Sequence, residues 1–208
     1  MLAIAGGKGG VGKTTTTLGL SAALDIPVVA ADADPDMPNL HALAGVGREP
    51  TLADIGAGPV ETVAQSHPDE SDVAVLPAPR IGITDDAIDR SLTRLAATDR
   101  PSIVDCPGGA GPDAATPLRR ADAALVVTTL CAPALRDAAK TAAMARTLDT
   151  PVRGAVLTRT RSAPAAVTDL LDCPVVASIP SAEPPVLRDS DVRDAYRRLA
   201  DDLAEGLL

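Results

Sequence analysis

The sequence predicts an α/β fold: three layers, doubly wound, around a mostly parallel sheet. Short apolar runs alternate along the chain with longer stretches of helical pattern. Most of these runs are β-branched and apolar on both faces, as strands in the middle of a parallel sheet are. A glycine-rich stretch, "GGKGGVGKTTTT", follows the first run and opens the first helix, at the strand end where such folds bind ligands.

The elements follow in order. "MLAIA" (1–5) reads as the first strand, and a helix is expected from about Gly12 to Leu24. Further strands are expected at 27–32, 72–78, 101–106, 123–129, 152–158 and 174–179, with helices at 84–97, 134–148, 164–171 and 190–207. Residues 56–72, "GAGPVETVAQSHPDESD", are polar and turn-rich, and predict a loop with little helix. The last helix carries Val192, Ala195, Tyr196, Leu199, Leu203 and Leu207 at helical spacing. Its polar face mixes Arg193, Arg197 and Arg198 with acidic residues, so it reads as packed on the body rather than laid on a membrane. With no linker and no internal repeat, residues 1–208 are expected to form one domain.

Composition narrows the function. Phe and Trp are absent and Tyr196 is the only aromatic, so stacking of nucleic-acid bases on aromatic rings is essentially excluded. Nineteen basic residues face 28 acidic ones, a net charge of −9 that argues against DNA binding. Lysine is confined to Lys8, Lys13 and Lys140, while Asp, Arg and Ala abound. Either a salt-loving archaeon or a high-GC genome would produce that bias. Cys106, Cys131 and Cys173 are far apart and form no CxxC pair, which disfavours a zinc or iron–sulfur site on one chain. Cys106 and Cys131 follow apolar runs and are expected to be buried. The odd cysteine count and the lack of a secretory signal suggest a cytoplasmic protein, with peripheral attachment to a membrane or cargo left open.

The glycine stretch fits G-x-x-x-x-G-K-[ST] through Gly7, Gly12, Lys13 and Thr14, between a strand and a helix as a phosphate loop requires. Glycines let the backbone turn its N–H groups toward phosphate oxygens, and the helix start adds positive potential. Lys13 is expected on the β- and γ-phosphates and the Thr14 hydroxyl on Mg²⁺, with Gly7, Gly9, Gly10, Val11, Gly12 and Thr15 completing the cradle. Asp105 ends an apolar strand, as a carboxylate that holds Mg²⁺ through water does. Asp32 and Asp34 follow the second strand; they are expected to face opposite ways, with one aimed at the nucleotide. His41 and His67 sit in polar surroundings and read as surface residues.

"KGGVGKTT" resembles the deviant phosphate loop of the MinD/ParA ATPases, whose hallmark is an extra lysine at the position of Lys8. The resemblance implies a P-loop NTPase fold that uses ATP/ADP and Mg²⁺. It also implies an ATP-bound homodimer in which Lys8 reaches the partner's nucleotide. "DADPDMPN" resembles the family's first switch, D-x-D-P-x-x-x-N, which makes Asp34 the residue that positions attacking water and supports Mg²⁺, with Asp32 as a neighbouring support. "DCPGG" resembles the second switch, with Asp105 on Mg²⁺ and the Gly108 N–H near the γ-phosphate. "VLTRTR" resembles the adenine-side segment and places Arg159 against the base; "SIPSAEPPVLRDSD" resembles the segment whose proline, here Pro180, edges the adenine pocket. The guanine-specific N-K-x-D motif is absent, which favours ATP. Leu130 and Cys131 stand where the family usually has Pro-Glu, and Asp137 falls near its dimer and partner surface.

The implied activity is slow ATP hydrolysis driving a switch that positions or partitions cargo, through a protein partner or cargo adaptor. The rival expectations are a small-molecule kinase or ligase resembling dethiobiotin synthetase, a metal-cluster carrier ATPase, and a nucleotide-binding module without turnover.

Overall fold

The structure, a computed structural model, describes residues 1–7, 9–56 and 58–207, with side chains as far as residue 204. Eight strands form one sheet: β1 (Leu2–Ala5), β2 (Val28–Asp32), β3 (Gln65–Ser66), β4 (Val73–Leu76), β5 (Ser102–Asp105), β6 (Ala123–Thr128), β7 (Val152–Thr158) and β8 (Val175–Ile179). Their order is β3-β4-β2-β5-β1-β6-β7-β8, parallel throughout except for the antiparallel pair β3–β4. The chain leaves β1 toward β2 on one side and later returns to β6 on the other. A crevice therefore opens at the carboxyl end of β1, where doubly wound sheets bind ligands.

Helices cover both faces. On one lie α1 (Lys13–Ala23), α2 (Leu40–Ala44) and α8 (Ser190–Leu207); on the other lie α4 (Asp85–Ala96), α5 (Pro112–Arg120), α6 (Ala132–Thr147) and α7 (Ala165–Leu171). All side chains of β2 and β6 are buried, which explains their continuous apolar runs. Without Phe or Trp the helices come close to the sheet: Ala138, Ala142 and Ala145 of α6 are fully buried. Tyr196 of α8 is sealed against Gly19 of α1, and its hydroxyl lies 3.2 Å from Thr16 Oγ1. Val192, Ala195, Tyr196 and Leu199 are all committed to the core, so the apolar face of α8 is spent on packing. Among the described residues no helix is long and apolar enough to cross a membrane.

The expected strands and helices lie within a few residues of their sequence positions. The stretch 56–72 holds little helix, as expected, a single turn at α3 (Val60–Val63), and adds the short edge strand β3. Val60 and Val63 bury against Leu52 and Ile55, an apolar spacing too short to stand out in a polar stretch. The helix α5 has no counterpart in the sequence reading, because Pro112 and Pro117 break its pattern. Pro112 sits in the first turn, where no N–H is needed. Cys106 is buried as expected, but Cys131 is exposed at the start of α6; β6 ends at Thr128 and the chain has already turned to the surface.

Candidate functional site

The loop from Gly6 to Thr14 joins β1 to α1 at the crevice. Gly10 (φ 78°) and Gly12 (φ 98°) are left-handed, which glycine adopts without steric cost, and the loop turns on them. Gly7 rests on α6: a Cβ there would lie 2.2 Å from the Asp137 backbone, so the loop needs glycine for close approach as well. Gly109, after β5, donates its N–H to the Gly6 carbonyl at 3.0 Å, which ties the second candidate switch to the loop. Asp137 pairs with Lys140 at 3.1 Å. Lys8 lies outside the described residues.

The loop borders a cleft of about 620 Å³. Gly9, Gly10, Gly12, Lys13, Thr14, Thr15, Asp34, Asp105, Gly108 and Arg159 all line it, so most of the residues expected at the site are brought together. Val11 instead turns into the core and Gly7 packs on α6. Pro180 is buried at the end of β8, three strands from β1, and does not line the cleft.

Register places the carboxylates. Asp105 stands opposite Ile4 on one side and Asp32 on the other, so the ends of β1, β5 and β2 come level beside the loop. The Thr14 hydroxyl donates to Asp105 Oδ2 at 2.5 Å, while Asp105 Oδ1 is buried with no hydrogen-bond partner among the described residues. Burial pushes the Asp105 carboxyl up to about 6, against the opposing pull of Lys13 and the Thr14 hydrogen bond. Burial, with Asp105 beside it, pushes Asp32 up to about 8.

Asp32 and Asp34 do not face opposite ways. Residues two apart on an extended chain share a side, and both join one acidic cluster with Asp105. They differ in depth. Asp34 lines the cleft, and its Oδ1 accepts the Met37 N–H at 3.0 Å. Asp32 is sealed behind it; its two oxygens accept the N–H groups of Asp34 (2.9 Å) and Leu40 (3.2 Å), stapling both ends of the loop 33–40.

A Mg²⁺ ion fits this arrangement. A hydroxyl and an orphaned buried carboxylate oxygen converge, and the acidic cluster favours a divalent charge. The described residues hold no set of three His, Cys, Asp or Glu able to cage a metal. Mg²⁺ takes few protein ligands and leaves the rest to phosphate and water. Four acids (Asp34, Asp36, Asp105 and Asp113) line the cleft against two described bases, Lys13 and Arg159.

Arg159 lines the cleft and turns its guanidinium to the phosphate loop. Its backbone is left-handed (φ 57°) and its guanidinium donates to the Gly10 carbonyl at 2.7 Å. Thr158, beside it, was not singled out in the sequence; it donates to the Val11 carbonyl at 2.7 Å. Its position at the carboxyl end of a central strand was the available signal. Neither histidine reaches the cleft; His67 Nδ1 accepts the N–H groups of Asp69 and Glu70, each at 3.1 Å.

Residues 2–198 match the model of the CobQ/CobB/MinD/ParA nucleotide-binding domain. An uncharacterized ATP-binding protein of Methanocaldococcus jannaschii is 30% identical over 196 residues, covering 86% of this chain and 73% of that protein. An iron–sulfur cluster carrier protein of the same organism is 29% identical over 171 residues, covering 74% of this chain and 58% of the carrier. Among solved structures, the septum site-determining protein MinD of Pyrococcus horikoshii OT3, complexed with Mg-ADP, superposes with a TM-score of 0.85. It is 26% identical, and the match covers 99% of this chain and 96% of that one.

Proposed function

The chain belongs to the CobQ/CobB/MinD/ParA nucleotide-binding family, and we propose that it is an ATPase whose site is completed by a second copy of itself. The observation that carries this reading is the convergence of Lys13, Thr14, Asp34 and Asp105 on one cleft whose described residues carry more acid than base. A triphosphate adds further negative charge, so cations from outside the described site must offset it. A Mg²⁺ ion at Thr14 and Asp105 would supply one, and Lys8 of a second copy would supply another.

Each residue then has a task. Lys13 binds the β- and γ-phosphates. Thr14 and Asp105 would hold the metal, which would bring its charge to the phosphates. Asp34, at the mouth of the staple made by Asp32, orients the attacking water and supports the metal. The Gly108 N–H meets the γ-phosphate. Lys8 stabilises the charge that spreads over the transferring phosphoryl group, as an arginine finger does.

A surface for the second copy is at hand. Met37, Ile81 and Leu130 are 56%, 75% and 38% exposed, in the loops that follow β2, β4 and β6 on the edge that carries the phosphate loop. Met37 lines the cleft itself, and exposed apolar side chains on this edge suit a face covered only while nucleotide is bound.

The cycle serves as a slow switch in the cytoplasm that positions or partitions cargo: a division site, a chromosome or plasmid, or another body. The cargo is engaged through a protein adaptor, in keeping with a net charge of −9. Changing Lys8 to Ala should leave ADP binding intact and abolish the ATP-dependent doubling of mass in light scattering; normal doubling would sink the proposal.

A second reading has one observation in its favour, the likeness to an iron–sulfur cluster carrier. Two of the three cysteines are buried and the third lies at the start of α6, so a cluster would have to form between copies. Iron and sulfide in anaerobically purified protein would support that reading. Turnover stimulated by a small-molecule acceptor would instead favour a kinase or ligase.

A further inference from the structure

Two consecutive residues at the end of β7 hold two consecutive carbonyls of the phosphate loop. Thr158 Oγ1 donates to the Val11 carbonyl at 2.7 Å, with the Thr128 carbonyl 3.3 Å away. Arg159 Nη2 donates to the Gly10 carbonyl at 2.7 Å. The next carbonyl, of Gly12, accepts the Thr16 N–H at 2.8 Å as α1 begins. Three successive carbonyls are thus tied to the protein. In a trans peptide the C=O and the following N–H point in opposite directions. Fixing the carbonyls of Gly10 and Val11 therefore fixes the N–H groups of Val11 and Gly12 on the opposite side. Among the described residues, neither of those two N–H groups has a hydrogen-bond acceptor.

The two grips differ in kind. Thr158 is buried, and its methyl group sits 3.2 Å from where a Gly12 Cβ would be, so it braces the loop sterically as well. Arg159 is exposed and holds a left-handed backbone that disfavours any side chain with a Cβ. Such backbones persist where surrounding contacts enforce them, and they cluster at ligand clamps.

We propose that Thr158 and Arg159 are positioning residues that hold the phosphate loop in its anion-receiving shape before a nucleotide arrives. The proposal rests on the reading that the loop takes nucleotide phosphate. It gives the end of β7 a role on the phosphate side of the site rather than on the base.

The test pairs Arg159→Gly with Thr158→Val. Glycine relieves the left-handed backbone, so Arg159→Gly should melt at the wild-type temperature or above while its affinity for a fluorescent ADP falls about tenfold, the loss of one charge-assisted hydrogen bond. A residue that only supports the fold would lose both together. Thr158→Val keeps the shape and removes the donor, and should weaken ADP binding by a similar factor. Hydrogen exchange of the loop amides, residues 9–13, in nucleotide-free protein should quicken in both variants. Unchanged exchange, ADP affinity within about twofold of wild type, or a parallel loss of melting temperature and affinity in Arg159→Gly would overturn the proposal. Failure of the wild-type protein to bind ADP would sink the nucleotide reading instead, and the exchange measurement would still decide whether the loop is held.

Discussion

The phosphate side of the cleft and the side toward β7 and β8 are built differently. On the phosphate side, β1, β5 and β2 end level with one another, and Asp105 at the end of β5 accepts the Thr14 hydroxyl. Here a short sequence motif and its three-dimensional site coincide, because the loop, the strand ends and α1 are joined by backbone register. On the other side, the ends of β7 and β8 lie outward from β1, and their residues turn back toward the loop or into the core. Arg159 grips a loop carbonyl and Pro180 is buried away from the cleft. The phosphate side thus rests on one contiguous loop and on backbone register between strands, whereas the side expected to take the base depends on side chains whose direction a motif does not set.

The largest effect that would sharpen this contrast is expected at Asp34. Asp34→Ala should bind ADP nearly as wild type does but lower phosphate release by about 10²–10⁴-fold, the usual scale for losing a group that handles the nucleophile. Retained turnover would break the assignment of the phosphate side. Next comes Asp105→Asn, which should raise the Mg²⁺ concentration needed for half-maximal nucleotide binding by about 10–100-fold, the usual cost of losing an outer partner of a metal. An unchanged Mg²⁺ requirement would remove Asp105 from the metal site.

A subtler effect is the pH dependence of the metal-free protein. Asp32 and Asp105 have carboxyls raised to about 8 and about 6 in the folded state. Groups raised on folding stabilise the fold fully below the unfolded carboxylate value, and that contribution is lost as pH rises through the folded values. The melting temperature of wild type relative to Asp32→Asn should therefore fall between about pH 4 and pH 8, and Mg²⁺ with nucleotide should flatten the slope. The smallest effect is expected at Pro180: Pro180→Ala should change ADP affinity by less than about twofold. A large loss there would restore the base-side role that its burial argues against.

How much could be read from the residues follows the same division. The parallel strands were legible because burial on both faces leaves continuous apolar runs, as in β2 and β6. The phosphate loop was legible because left-handed turns demand glycine at Gly10 and Gly12. The helix α5 was hidden by its prolines, and α3 by its brevity. Cys131 was misjudged because an apolar run does not reveal where its strand ends. Asp32 and Asp34 are not on opposite sides because side chains alternate with a period of two; what the sequence does not show is their depth, one sealed and one lining the cleft. Thr158 was missed because its task, holding a carbonyl 147 residues away in sequence, leaves no local pattern.

The central claim is that one copy's Lys8 completes the other copy's site. Mixing two inactive variants tests it directly. Lys8→Ala keeps Asp34 but lacks the lysine to lend, while Asp34→Ala lends Lys8 but cannot orient water. In a mixed dimer one of the two sites has both groups and one Lys8 remains to bridge the copies, so an equimolar mixture should release phosphate well above the sum of the two variants, up to about a quarter of wild type where the copies pair at random. Release no greater than the sum of the two variants alone would contradict the account.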